Sequence, residues 1–194
     1  FFYGHGTYDT ALKGVEPYHF EKQLQELCRR ISPAFQFSDG IKTQQDCFSI
    51  TIDDGSKTVL DVVEYLEKRK INTYVCICGN STLRKSVLSA HKINLLRNEV
   101  GDKHLYDKLK AWFTNVNIED LSLKGKVKQE HLYRYDKEDT RKLKIALNYK
   151  LDSNNVKNFV DDNFANLLGS EQEWANKLYM SKDDLCSLPK NFEI

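Results

Sequence analysis

The chain has 194 residues, 40% of them hydrophobic, enough for one sizeable core or for one domain carrying an insertion. Lys and Arg total 29 against 28 Asp and Glu, and the net charge of +1 gives no electrostatic footing for nucleic acid or an anionic membrane. The apolar runs are strand-sized, so no membrane span is expected. Five cysteines, odd in number and without zinc-type C-x-x-C spacing, favour a reducing, cytoplasmic setting over a disulfide framework.

In chain order, "FFYGHGTYD" reads as a short buried strand leaving into a Gly-punctuated loop, and the absence of an initiator Met reads as a trimmed start. "EPYHFEKQLQELCRRI" places Phe20, Leu24, Leu27 and Ile31 at helical spacing behind Pro17, the pattern of an amphipathic helix. "CFSITIDDG" is a strand ending at Gly55. "SKTVLDVVEYLEKRK" is a helix with Ser56 as its expected N-cap, and "INTYVCICG" is a further apolar strand. Strand, helix and strand within about thirty residues make a βαβ unit with parallel strands.

From Thr82 to Met180 the sequence turns helical and charged. "SVLSAHKINLLRNEV", "DKHLYDKLKAWFTNV", "KEDTRKLKIALNYKL", "NNVKNFVDDNFANLLG" and "SEQEWANKLYM" each repeat apolar residues at three- and four-residue intervals. "SKDDLCSLPKNFEI" then reads as a capped helix, a Pro stop and the start of a third parallel strand. The expected architecture is one incomplete α/β domain over 1–194, interrupted by a helical insertion over 82–180.

Asp53 and Asp54 close the "SITIDDG" strand, and in parallel α/β sheets the working residues sit at the carboxyl ends of strands. Adjacent side chains there point different ways, so one carboxylate can hold a metal while the other takes a proton from water. Gly55 would permit close approach at the strand end. A plain turn and helix cap is the competing account of Asp-Asp-Gly-Ser. A phosphate-cradling loop is excluded because Ser56 separates Gly55 from Lys57, with no partner glycine upstream. An Asp-x-Asp phosphatase is excluded by Ile52, and a calcium-binding EF-hand by Val59 and Val62 in the following turn.

The run "FSITIDDGSKTVLDVVEYLEKRKINTYVCICG" resembles the first motif of the polysaccharide deacetylase family (NodB homology, carbohydrate esterase family four), with Ile52 in place of the commoner Phe. "FFYGHG" and "YHFEKQLQEL" resemble that family's opening strand and helix, and "LYMSKDDLCSLPKNFEI" the approach to its second motif. The resemblance implies a partial or distorted (β/α) barrel and a metal-dependent carbohydrate N-deacetylase acting on an acetylated sugar or polysaccharide. It implies Asp53 as the catalytic base and Asp54 as a ligand of a divalent metal, zinc before cobalt or nickel. The family's two histidine ligands, four residues apart, have no counterpart among histidines 5, 19, 91, 104 and 131. The expectation is therefore the N-terminal portion of such an enzyme, with its metal site not fully ligated by this chain. A non-catalytic carbohydrate-binding or interaction module of the same fold is the alternative.

Other candidates are His5, reaching the site from the first strand, and Tyr133 with Arg134, a polar-aromatic cluster before a helix. Cys76 and Cys78 share one side of an expected strand and read as core thiols before metal ligands. Trp112, Phe113 and Trp174 read as helix packing before a sugar platform.

Overall fold

The computed structural model describes residues 15–34, 46–114 and 133–194. His5 and the opening "FFYGHG" segment lie outside the described residues. The chain divides into two compact units, one formed by residues up to Val87 together with Ser170–Ile194, the other by Leu88–Gly169. Sequence periodicity puts the limits of the helical segment at 82 and 180. Both limits fall inside the α/β unit, because residues 82–87 and 170–180 pack against that unit's strands and turns.

In the α/β unit, helix α1 (Pro17–Arg30) starts with Pro at its first turn, where no backbone N–H is needed. It turns Leu24 into the core, with Phe20 and Leu27 packed beside it. The expected strand around residue 50 is split. Strand β2 (Cys47–Phe48) pairs in parallel with β1 (Ser32–Pro33), whereas β3 (Ile50–Ile52) belongs to a second sheet. That sheet is wholly parallel in the order β3, β4 (Thr73–Val75), β5 (Phe192–Glu193). Ile50 stands opposite Thr73, and Thr73 opposite Phe192. The crossover from β3 to β4 is a 3-10 helix over Lys57–Val62 running into α2 (Val63–Lys68), in place of one regular α-helix. The β-branched residues Thr58, Val59, Val62 and Val63 explain the tight, irregular first turns. Val59, Val62, Leu66, Ile71, Val75, Met180 and Phe192 form one core against the sheet. The fold is α/β with small parallel sheets and no closed barrel among the described residues.

After β4 the chain enters α3 (Gly79–Arg84), a short helix that sequence periodicity does not reveal. Returning from the helical unit, α8 (Glu171–Leu178) and α9 (Lys182–Cys186) precede β5. α9 carries a capping box between Ser181 and Asp184.

Among the described residues the helical unit contains α4 (Ser89–Val100), α5 (Asp102–Trp112), α6 (Glu138–Ile145) and α7 (Ser153–Leu168). A π-helical turn over Ala146–Lys150 continues α6. Leu96, Leu105, Leu109, Leu143 and Phe159 make its core. Lys92 is buried in this unit beside Asp161, Nζ to Oδ1 2.6 Å, and Lys157 bonds the other carboxylate oxygen at 2.5 Å. Asp102 joins α5 to its neighbours by accepting from Arg97 (Nε to Oδ1 2.5 Å) and from the Thr140 hydroxyl. No described helix is long and apolar enough to cross a membrane.

Candidate functional site

The carboxyl end of β3 is not a plain turn. Cys76 donates to the Ile52 carbonyl (2.8 Å), and its own carbonyl accepts from the Gly55 amide (3.0 Å). In an unbroken parallel ladder the second bond would go to residue 54. Its transfer to Gly55 means that one extra residue is housed between Ile52 and Gly55, which is a β-bulge. Asp54 and Gly55 both take left-handed backbone, φ 61° and 60°. Asp followed by Gly suits this pair, since Asp tolerates left-handed φ better than most residues and Gly pays no Cβ penalty. At this bulge Asp53 is exposed and Asp54 half-buried.

Neighbouring segments hold the bulge in place. The Met180 amide donates to the Gly55 carbonyl (2.8 Å), and Ser56 forms an antiparallel bridge with Tyr179. A Cβ on Gly55 would lie 3.3 Å from Ile77 Cγ2. Ser56 stands at the N-cap of the following 3-10 helix, as expected from sequence, but its side chain makes no capping bond; its hydroxyl pairs with Thr58 Oγ1 at 2.9 Å. Asp53 lies at the edge of a cavity of about 410 Å³, walled by Phe20, Leu24, Leu27, Phe48 and Ile50.

The cysteines depart from the sequence reading. The strand stops at Val75, so Cys76 and Cys78 lie beyond it; Cys76 is exposed and Cys78 half-buried, and neither is a core thiol. The Ser81 amide holds the Cys78 thiol below its ordinary pKa, helped by the Ser81 hydroxyl and the Asn80 amide. Burial and the Asp54 charge oppose this. The Ser81 hydroxyl's geometry falls short of a full hydrogen bond, and Ser81 Oγ and Thr82 Oγ1 are buried without a hydrogen-bond partner among the described residues. Only the bond pattern beyond residue 75 discloses this environment.

Tyr133 and Arg134 belong to the helical unit, whereas Asp53 and Asp54 belong to the α/β unit. Tyr133 has left-handed backbone, accepts from Asn148 Nδ2 (2.8 Å) and stacks under Lys144 (5.0 Å). The Arg134 guanidinium folds onto its neighbour, the exposed Tyr135 ring, at 4.5 Å. Both therefore engage local partners. Trp112 meets Phe159 edge-on at 5.7 Å while remaining 46% exposed, and His91 is buried.

No group of three or more His, Cys, Asp or Glu side chains suited to a metal ion occurs among the described residues. Asp54 supplies one carboxylate, short of the three protein ligands that a transition-metal site takes. No family model, no curated protein and no solved structure matches this chain.

Proposed function

We propose that the chain carries the aspartate pair of a metal-dependent carbohydrate N-deacetylase, which hydrolyses the acetamido C–N bond of a sugar or polysaccharide. The observation that supports this reading is the bulge at the carboxyl end of a parallel strand, where Asp53 is exposed beside a cavity and Asp54 is half-buried. On this reading Asp53 accepts the proton of the attacking water as its oxygen adds to the acetyl carbon. The C–N bond then breaks to leave acetate, and the sugar nitrogen takes up a proton to become an amine. Asp54 is the ligand assigned to zinc, or to cobalt or nickel in its place. The described residues do not complete that site, so the steps assigned to this chain are limited to proton transfer at Asp53. The reading carries with it the distorted (β/α) barrel of the resemblance, of which β3, β4 and β5 would be one arc.

The test is a calorimetric zinc titration of the intact protein, paired with acetate release from N-acetylglucosamine oligomers. Asp54→Ala is expected to abolish zinc binding, and Asp53→Asn to abolish acetate release while leaving zinc affinity within about threefold. Zinc binding that is absent, or indifferent to Asp54→Ala, refutes the reading. The incomplete ligand set favours a second reading, a non-catalytic carbohydrate-binding or interaction module of the same fold. Oligomer binding without acetate release by the zinc-treated protein would select it.

A further inference from the structure

We propose that Glu171 and α8 form a strap that sets the conformation of the Asp53–Gly55 bulge from the two points where the chain leaves and re-enters the α/β unit. Val87 is the last residue of that unit before the helical one, and Ser170 the first after it. A bond from the Val87 amide to Glu171 Oε1 at 2.8 Å ties these crossings together. A carboxylate acceptor makes it stronger than a neutral pairing.

From Glu171 the connection to the bulge is short and stiff. α8 is closed by Trp174 N–H to Ser170 O (3.2 Å) and Tyr179 N–H to Ala175 O (3.0 Å), so its eight residues move as one rod. Tyr179 and Met180 follow at once, 2% and 0% exposed. Tyr179 bridges Ser56, and the Met180 amide holds the Gly55 carbonyl. Met180 is also packed into the core with Val59, Val62 and Val75. A pull at the crossings therefore has a rigid route to Gly55, whose left-handed backbone is held on its far side by Cys76. The helical unit hangs from the clasped crossings, so strain arising within residues 88–169 would reach the aspartate pair through this strap.

The experiment is residue-resolved amide hydrogen exchange on the full chain, comparing wild type, Glu171→Ala and Glu171→Gln. Loss of the clasp in Glu171→Ala is expected to speed exchange at Val87, Met180 and Gly55 by about tenfold or more. The Ile71 and Thr73 amides, which bond Leu66 and Asn191 within the same unit, should be unchanged. Glu171→Gln keeps an acceptor oxygen and should stay within about threefold of wild type at Met180. Faster exchange at Val87 alone overturns the proposal. So does a rise at Ile71 and Thr73 in step with Met180, since that is general loosening. If Glu171→Ala does not fold, Glu171→Asp, one methylene shorter and so drawn back from the Val87 amide, is read by the same comparison: Met180 ahead of Ile71 supports the strap, and equal rates overturn it. The readout involves neither metal nor sugar, so its failure is distinct from failure of the deacetylase reading.

Discussion

Gly55→Ala probes the bulge on which the candidate site depends. Gly55 sits at φ 60°, where an L side chain costs about 1–2 kcal/mol. Alanine also narrows the unfolded ensemble, which returns about 0.4–1 kcal/mol. The new Cβ meets Ile77 Cγ2 at 3.3 Å, but Ile77 is 39% exposed and its side chain has room to give. The net expectation is a loss of about 1 kcal/mol from the α/β unit. With a urea slope of roughly 1–3 kcal/mol per molar, the midpoint should fall by roughly 0.3–1 M. The two units need not unfold together, so the reporter must belong to one of them. Trp174 lies in the α/β unit and Trp112 in the helical one, so the fluorescence of a Trp112→Phe background isolates the relevant transition. An unchanged or raised midpoint at constant slope would show that residue 55 is not held in left-handed backbone, and the bulge argument would fall with it.

Two further predictions concern the helical unit. Asp161→Ala leaves the ammonium of Lys92, 5% exposed, without its carboxylate, and should cost about 3 kcal/mol. Lys92→Met in the Asp161→Ala background should recover most of that loss, read by Trp112 fluorescence in a Trp174→Phe background; no recovery refutes the burial argument. For Asp102, burial pushes the carboxyl up, but the Arg97 guanidinium and the Thr140 hydroxyl outweigh it and hold it below its ordinary value. A lowered folded pKa contributes stability above the unfolded value of about 3.9, and that stability is lost as pH falls through the folded one. Acid unfolding of the helical unit below about pH 4 should therefore be shallower in Asp102→Asn. An identical acid limb would rule Asp102 out as its source.

Helices were legible in sequence where a whole apolar face repeats. Phe20, Leu24 and Leu27 mark α1, and Leu105 and Leu109 mark α5, because burial of one stripe is a property of local spacing. α3 was not legible, since six residues beginning Gly-Asn-Ser hold no repeating stripe. The strand over residues 47–52 reads as continuous but is shared between two sheets, because an apolar run does not specify which edge it pairs with.

The sequence by itself determined the parallel α/β character, the helical segment between its halves and the adjacency of Asp53 and Asp54, all consequences of residue type and period. The bulge that carries them, with its left-handed Asp54 and Gly55, was decided only by tertiary structure. It follows from one hydrogen bond passing from residue 54 to Gly55 and from the anchoring of Gly55 by Met180, 125 positions along the chain. Such partners are chosen by packing and backbone satisfaction across the sheet, and no local pattern encodes them.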